Sequence, residues 1–304
     1  MKFNIQGSDL NKNKNTENCK KKNIKIFYGH FKKNISKATI IVKSSAIKSS
    51  NVEIKEAIRR KIPIFERAEM LSNIVSLKKN IIISGSHGKT TTTSLVAKIL
   101  LESKLDPTII NGGVINSIKN NAKFGKGDWT VLEADESDGS FLKLPINYSI
   151  ITNIDNEHLD FYKSFEKLEK SFIKFINKTP PIGKSFICLD DKNIQKIVKK
   201  LKTKNYLTYG FNKKADYQIF NVKYKSHQTM FDLKIKKINK KIGILKNIKI
   251  NLIGSYNVQN TAAAVSICLK LGLKQNKIKK ALSNFSGVQL SLIHISEPTR
   301  LGMI

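Results

Sequence analysis

From residue 80 to residue 285 the hydrophobic positions switch repeatedly between two periods. Short apolar, β-branched runs predict buried strands, and apolar residues spaced three or four apart between several of them predict helices. This alternation of strand and helix indicates an α/β fold with a largely parallel sheet covered by helices. Strands are predicted at 81–83, 107–110, 129–136, 148–154, 184–190 and 206–210, and helices at 165–176, 194–201, 276–285 and from about residue 257 onward.

Two regions do not follow this alternation of strand and helix. Residues 216–252 include segments that alternate apolar and polar residues one by one, as in YQIFNVKYK, which predicts antiparallel ribbons. Residues 1–75 form a smaller α/β pattern, whose opening FNIQGSD is typical of the second strand of a dinucleotide-binding fold. In this part we predict strands at 25–29, 38–42 and 62–65, a helix over 52–60 capped by Asn51, and a helix over 67–77.

The segment NIIISGSHGKTTTT, residues 80–93, joins a predicted buried strand to a glycine-containing turn and the start of a helix. Gly85 and Gly88 allow backbone N–H groups to approach phosphate oxygens, and the helix N-terminus adds partial positive charge. Lys89 can reach the β- and γ-phosphates of a nucleotide, and the Thr90 hydroxyl can ligate Mg²⁺. The segment therefore predicts a nucleotide phosphate site.

The spacing of this loop is not the usual one. Phosphate-loop NTPases place four residues between the first glycine and the Gly-Lys pair, whereas only Ser86 and His87 separate Gly85 from Gly88 here. An ordinary phosphate-loop NTPase is thus a poor match. The alternative is a glycine-rich turn before an ordinary helix, but the preceding strand and the Lys-Thr pair favour the phosphate site.

Acidic side chains gather in LEADESDGSF, residues 132–141, where a predicted strand ends. Ligands bind at the carboxyl ends of strands in open α/β sheets, and Mg²⁺ prefers oxygen ligands. The segment therefore offers candidate oxygen ligands, with a solvated acidic loop as the alternative. The candidates are Glu133, Asp135, Glu136 and Asp138.

Two further segments carry polar side chains, one after a predicted strand and one after a glycine turn. In TNIDNEHLDFY, residues 152–162, His158 follows a strand among acidic residues, which favours a metal or phosphate role over an ordinary surface histidine. In GSYNVQNTAAA, residues 254–264, Asn257 and Asn260 lie in the first turns of a predicted helix. Their amides suit the edge of a base such as adenine, and a plain N-cap by Asn257 is the alternative.

Together these patterns predict an α/β protein of two domains and a tail. A partial Rossmann-like domain is expected at residues 1–78. A phosphate-loop-type, mostly parallel-sheet nucleotide-binding domain with an antiparallel β addition is expected at 79–289. Residues 290–304 contain no lysine and fit nothing before them, so we interpret them as a non-native tail, such as a sequencing artefact.

Charge and cysteine content refine this picture. The 304 residues include 55 Lys and Arg against 23 Asp and Glu, a formal net charge of +32. Such a balance suits nucleic-acid binding, but the lysines are spread along the chain among many Asn and Ile, which favours genome composition as the cause. No specific nucleic-acid partner is expected.

No apolar run reaches the roughly 18 residues of a membrane span. Three distant cysteines, Cys19, Cys188 and Cys268, indicate reduced thiols in a cytoplasmic protein.

In this order the four segments resemble the Mur ligase family, ATP-dependent amide-bond ligases of peptidoglycan precursor synthesis. The resemblance covers residues 1–289 and includes GSDL, YGH, SSAI and IPIFERAEML near the N-terminus. The segments are most similar to members that join L-alanine to the lactyl carboxylate of UDP-N-acetylmuramate through an acyl phosphate. Members that add later amino acids typically carry Asn where His87 stands. The resemblance thus implies a carboxylate–amine ligase that uses ATP and Mg²⁺.

The resemblance also implies a role for individual residues. Lys89 would bind the β- and γ-phosphates, Thr90 and Glu133 would hold one Mg²⁺, and His158 would help to hold a second, so that Lys89, Glu133 and His158 form the catalytic set. Asn257 and Asn260 would contact adenine. The rest of the ATP-binding loop would be Gly85, Ser86, His87, Gly88 and Thr91. Weaker candidates for binding the UDP portion are Asp9, His30 and Ser45.

Some features depart from the family pattern. Tyr256 stands where histidine is common. The family's glycine-rich first turn would precede the first residue, and a domain that supplies the amino-acid pocket would follow residue 288. We therefore expect a fragment that does not ligate alone. Alternative functions are another Mur-type ligase, such as the one that recycles the murein tripeptide, or a non-catalytic nucleotide- or nucleic-acid-binding protein. The sequence predicts no oligomeric state.

Overall fold

The computed structural model describes residues 4–116, 118–157, 159–238 and 241–289. The chain divides into two compact units, residues 1–74 and 75–304. Among the helices of the described residues, none has the length and apolar character that crossing a membrane requires. The predicted tail, residues 290–304, lies outside the described residues.

The first unit contains two pairs of parallel strands with helices between them. β1 pairs with β2, and β3 pairs with β4. The elements are β1 (Gln6–Asp9), α1 (Lys14–Lys21), β2 (Lys25–Tyr28), β3 (Ile41–Lys43), α2 (Val52–Arg59), β4 (Ile64–Glu66) and α3 (Arg67–Val75), which ends at the unit boundary.

The predicted elements of this unit are confirmed, with shifts of up to three residues at their ends and one helix that was not predicted. Asn51 caps α2 by accepting a hydrogen bond from the Glu53 backbone N–H at 2.9 Å. β3 begins at Ile41, three residues later than predicted. Helix α1 was not predicted because its sequence, KNTENCKK, has too few apolar residues to show a helical period. The signal that marks α1 is a capping box between Asn13 and Thr16.

The second unit is one sheet with helices packed on it. Its elements up to residue 200 are β5 (Lys79–Ser84), α4 (Lys89–Glu102), β6 (Thr108–Ile115), β7 (Asn120–Lys123), β8 (Trp129–Glu133), β9 (Tyr148–Ile151), α5 (Leu159–Tyr162), α6 (Phe165–Asn177), β10 (Lys184–Cys188) and α7 (Lys192–Lys200). The remaining elements are β11 (Tyr206–Gly210), β12 (Tyr217–Lys225), β13 (Gln228–Ile238), β14 (Lys241–Ile250), α8 (Ser255–Lys270), α9 (Gln275–Ser283) and β15 (Val288–Gln289).

The strand order is β14-β13-β12-β11-β10-β9-β5-β8-β6-β15, and β7 pairs with β6. Neighbouring strands from β12 to β6 run parallel, whereas β13 and β14 extend the sheet as antiparallel strands. This order confirms the predicted mostly parallel sheet with an antiparallel addition. The antiparallel pairing of β7 with β6 was missed because its strand, NNAK, is polar and half exposed.

The core lies around the central strand β5. Its residues Ile81, Ile82 and Ile83 are fully buried because helices cover both faces of a parallel sheet. On one side α4 packs against α8, and three consecutive alanines, 262–264, are fully buried in α8. Small side chains allow the two helices to approach closely. The start of α8 is thereby brought near the loop that precedes α4.

Candidate functional site

Three of the four polar segments meet at one edge of the sheet. β5 lies between β8 and β9, and the three strands are parallel, so their carboxyl ends point the same way. The loop 85–88 follows β5, the acidic segment follows β8, and residues 152–157 follow β9. This edge is where open α/β sheets bind ligands.

The loop between β5 and α4 needs glycine at two positions. Gly85 and Gly88 have φ values of +129° and +81°, in the region that disfavours other residues. A Cβ atom at Gly85 would clash with Thr152 Oγ1, and one at Gly88 would lie 2.5 Å from Asn260 Oδ1. Neighbouring elements therefore enclose the loop on two sides.

The segment after β9 fixes this loop through the peptide groups of His87. The His87 N–H donates to Asn153 Oδ1 at 2.8 Å, and Thr152 Oγ1 donates to the His87 carbonyl at 2.6 Å. Ser86 Oγ accepts from the Asp155 N–H at 2.8 Å. The shape of the loop is thus set by residues more than 60 positions away, and the segment 152–162 supports the segment 80–93.

The His87 ring lies outside the loop, beside two carboxylates. Its Nε2 atom is 3.1 Å from Asp155 Oδ2 and 3.4 Å from Glu157 Oε1. The ring is 62% exposed, so these contacts are solvated. His158, the candidate catalytic and metal-binding residue, lies outside the described residues.

Lys89 is folded back into the loop. Its Nζ atom donates to the carbonyl oxygens of Gly85 at 2.6 Å and Ser86 at 3.2 Å, and lies 3.1 Å from both carboxylate oxygens of Glu136. Glu136 is fully buried. Burial raises the pKa of Glu136, and the charge of Lys89 opposes that rise. The structure thus places Glu136 as the counter-ion of Lys89.

Tyr162 contacts the pair formed by Lys89 and Glu136 through the backbone of Glu136. The sequence analysis did not name this residue as a candidate. Its hydroxyl donates to the backbone carbonyl of Glu136. The side chain is buried, and burial raises the pKa of the phenol, which keeps the donating proton in place. The aromatic residue four positions after His158 was the available signal, but aromatic residues after a strand are common in cores.

The structure brings Thr90 and Glu133 together. Thr90 Oγ1 donates to Glu133 Oε1 at 3.1 Å, and Glu133 Oε2 accepts from the Gly112 N–H at 2.7 Å. Two other acidic candidates accept hydrogen bonds from backbone N–H groups two residues later in the chain: Asp135 accepts from Ser137 and Asp138 from Ser140. Among the described residues no three His, Cys, Asp or Glu side chains are grouped as a metal site.

Asn257 and Asn260 have different surroundings although both lie in the first turns of α8. Asn260 is 8% exposed and its amide lies against Gly88. Asn257 is half-buried, and its Nδ2 donates to the Ile253 carbonyl at 2.8 Å. Gly254 is the N-cap of α8, so the alternative interpretation of Asn257 as the cap is wrong.

A cleft of about 1140 Å³ opens beside the start of α8, at the carboxyl ends of β10 and β11. Tyr256 lines it, together with Asp190, Phe211 and Gln259, which sequence reasoning missed. Asp190 and Phe211 lie in two separate loops with no local motif, and Gln259 lies in α8 inside the segment 254–264 but was not named as a candidate.

The first unit has a pocket of its own, about 520 Å³ in volume, at the carboxyl ends of β1, β2 and β3. Two of the three weaker candidates, Asp9 and His30, line it, whereas Ser45 does not. Glu53 was missed as a pocket residue. Its carboxylate is 8% exposed and accepts from Ser8 Oγ at 2.6 Å and Asn34 Nδ2 at 2.7 Å.

Replacement of Glu53 by alanine is expected to destabilise the first unit by about 2 kcal/mol, because buried donors lose their acceptor. The test measures the free energy of unfolding with urea and, separately, hydrogen exchange of the backbone amides in β1 and β2. The matched control is Glu17→Ala, which removes an exposed pair with Lys12 and should cost below about 1 kcal/mol. Equal effects of the two substitutions would contradict the structural role of Glu53.

Comparison with known proteins gives two family models that match the chain. The model of the Mur ligase middle domain matches residues 83–268, and that of the "Mur ligase family, catalytic domain" matches residues 1–79. The chain is 56% identical over 289 residues to the UDP-N-acetylmuramate–L-alanine ligase of Pelagibacter ubique, covering 95% of this chain and 62% of that protein. It thus spans about three fifths of the length of the curated relatives it matches.

Two solved structures share the fold. The UDP-N-acetylmuramate-alanine ligase MurC of Thermotoga maritima superposes with a TM-score of 0.78 at 27% identity, covering 94% of this chain and 63% of that one. A UDP-N-acetylmuramate:L-alanyl-γ-D-glutamyl-meso-diaminopimelate ligase from Neisseria superposes with a TM-score of 0.80 at 18% identity, covering 94% and 92%. Since the middle-domain model alone matches more than half of its residues, the chain belongs to the Mur ligase family.

Proposed function

We propose that this chain forms the ATP-binding part, and a portion of the UDP-sugar-binding part, of a ligase that joins L-alanine to UDP-N-acetylmuramate. The observation that carries the proposal is the meeting of Lys89, Thr90 and Glu133 at one edge of the sheet. The 56% identity to a protein named for this reaction supports the choice of substrates.

ATP is proposed to bind with its phosphates at the loop 85–88. Lys89 would exchange its bonds to the Gly85 and Ser86 carbonyls for bonds to the β- and γ-phosphates. The backbone N–H groups at the start of α4 would receive the same phosphates. Asn257 would contact adenine, and Asn260, which lies against Gly88, would connect the base end of the site to the loop.

Thr90 and Glu133 are proposed to hold Mg²⁺. Their oxygen atoms are 3.1 Å apart, and neighbouring ligands of an octahedral Mg²⁺ lie about 2.9 Å apart when metal–oxygen distances are about 2.0–2.1 Å. Both are hard oxygen donors, so the pair fits the ion. Mg²⁺ bound there would neutralise phosphate charge as a carboxylate substrate approaches. His158 stays a candidate for a second ion.

Replacement of Glu133 by glutamine is expected to abolish most of the Mg²⁺ dependence of ATP binding. We expect the affinity in Mg²⁺ to fall about tenfold, which equals about 1.4 kcal/mol, while the affinity in EDTA stays within about twofold. Titration calorimetry measures both. The control is Asp138→Asn, at an acidic residue that accepts from the Ser140 N–H of its own turn. A Mg²⁺ dependence that survives in Glu133→Gln would remove Glu133 from the metal site.

The activity is tested with chimaeras. Residues 1–289 of this chain would replace the matching segment of the Pelagibacter ubique ligase and, separately, of the Neisseria ligase. We expect L-alanine-dependent phosphate release with UDP-N-acetylmuramate from the first chimaera. Turnover restored only in the second, with the tripeptide as substrate, would favour the tripeptide ligase. Inactivity of both soluble, ATP-binding chimaeras would contradict the ligase proposal.

A further inference from the structure

One carboxylate at the cleft beside α8 joins three elements. Asp190 follows β10 by two residues. Its Oδ2 accepts from the Phe211 N–H at 2.8 Å and from Gln259 Nε2 at 2.6 Å, and its Oδ1 accepts from the Asn212 N–H at 2.8 Å. The end of β10, the turn after β11 and the second turn of α8 are thus fixed to one side chain.

The turn after β11 is shaped around this carboxylate. Gly210, the last residue of β11, has φ of +144°. A Cβ atom there would lie 2.5–2.7 Å from the carboxyl carbon and both oxygens of Asp190. Only glycine permits so close an approach. The two N–H groups of the turn then point at a charged acceptor, and hydrogen bonds to charged groups are the stronger class.

This contact joins the start of α8 to Asp190. The N-cap of α8 is Gly254, which has no side chain with which to cap the helix. Gln259 lies between Asn257 and Asn260, and its amide connects the helix to Asp190. Tyr256, 75% exposed, lines the same cleft. The residues proposed to face the base therefore flank the residue of α8 that is hydrogen-bonded to Asp190.

We infer that Asp190 is a positioning residue for the base end of the bound nucleotide: it holds the first turns of α8 and the turn after β11 in the arrangement that the base requires. The inference rests on the proposed function, which places adenine beside α8. The phosphate end is held by separate groups, Lys89 and the loop 85–88. Loss of Asp190 should therefore weaken recognition of the base and leave recognition of phosphates intact.

The test compares two ligands of the same chain, ATP and inorganic triphosphate, by calorimetry in Mg²⁺. For Asp190→Asn we expect the Kd of ATP to rise about tenfold, the equivalent of about 1.4 kcal/mol. The Kd of triphosphate should change less than about twofold. A purely structural role would instead weaken both ligands alike and lower the Tm in proportion.

Two further variants make the result decisive. Gln259→Met removes the amide but leaves the bonds between Asp190 and the turn, so it should give a smaller loss selective for ATP even if Asp190→Asn folds poorly. Asp216→Asn is the control. Asp216 also binds the backbone near β11, since it accepts from the Thr208 N–H at 2.9 Å, but it does not line the cleft. It should lower stability without any preference between the ligands.

The outcomes separate this inference from the proposed function. If the unaltered chain binds ATP no better than triphosphate, the placement of adenine beside α8 is wrong, and the inference fails with it. If the unaltered chain prefers ATP, but Asp190→Asn and Gln259→Met weaken both ligands equally, the proposed function stands and the positioning role of Asp190 is overturned.

Discussion

Substitution of Lys89 by methionine is expected to lower the affinity for ATP at least about 100-fold, which equals about 2.7 kcal/mol. The ammonium group is the charge at the centre of the loop, and its hydrogen bonds to phosphate would be charge-assisted. Methionine keeps an unbranched side chain of similar length but has neither the charge nor the N–H donors of lysine. Titration calorimetry with ATP measures the loss. The control is Lys170→Met, which breaks an exposed pair with Glu166 and should leave ATP binding unchanged.

The same substitution is expected to destabilise the second unit. Glu136 would remain fully buried without its counter-ion, and breaking a buried pair costs about 3–5 kcal/mol. A carboxyl whose folded pKa is raised binds more protons in the folded state than in the unfolded state. The destabilisation should therefore grow as the pH rises from the unfolded pKa through the folded one, and shrink in acid.

A double variant separates the two effects of Lys89. Lys89→Met combined with Glu136→Gln removes both charges, so stability should largely recover while ATP binding stays lost. If ATP binding recovers with stability, Lys89 acts only through folding and has no direct role at the phosphates. If the chain never binds ATP but binds DNA in a salt-sensitive way that Lys89→Met leaves unchanged, the nucleic-acid alternative is favoured.

The sequence predicted most of what depends on local pattern. The strand 81–83, the glycine turn and the helix after it lie where expected, and of the four acidic candidates at the sheet edge Glu133 is the one that contacts Thr90. Parallel strands place their carboxyl ends at one edge, so that this contact follows from the fold class. Helix α1 was not predicted because polar helices show no apolar period, although the residues of its capping box are present in the sequence.

What the sequence did not predict depends on contacts between distant residues. Glu136 was one of four acidic candidates, and nothing local distinguishes the one that is buried against Lys89 from those that cap their own turn. Asn260 stays a predicted adenine contact, and the packing of α8 against α4 also brings its amide to Gly88, which no local pattern indicates. The bond between Asp190 and Gln259 spans 69 positions and has no sequence motif.

Replacement of Gly88 by alanine is expected to cost about 3 kcal/mol of stability and to weaken ATP binding, for two separable reasons. Alanine at a φ of +81° is strained by about 1–2 kcal/mol. Its Cβ would also lie 2.5 Å from Asn260 Oδ1, so that the loop or α8 must shift, and overpacking costs about 1–3 kcal/mol. Urea-induced unfolding and calorimetry with ATP measure the two effects.

The chain contains a matched control for the strain alone. Gly272 has a φ of +80°, and a Cβ atom added there would meet nothing within 4 Å beyond its chain neighbours, so Gly272→Ala should cost only the strain. The difference between the two variants then measures the contact between the phosphate loop and α8. Adding Asn260→Ala to Gly88→Ala removes the amide that the new Cβ would contact. The double variant should therefore recover that difference in stability. If Gly88→Ala and Gly272→Ala cost the same, Asn260 does not hold the loop, and the link from the base end of the site to its phosphate end fails.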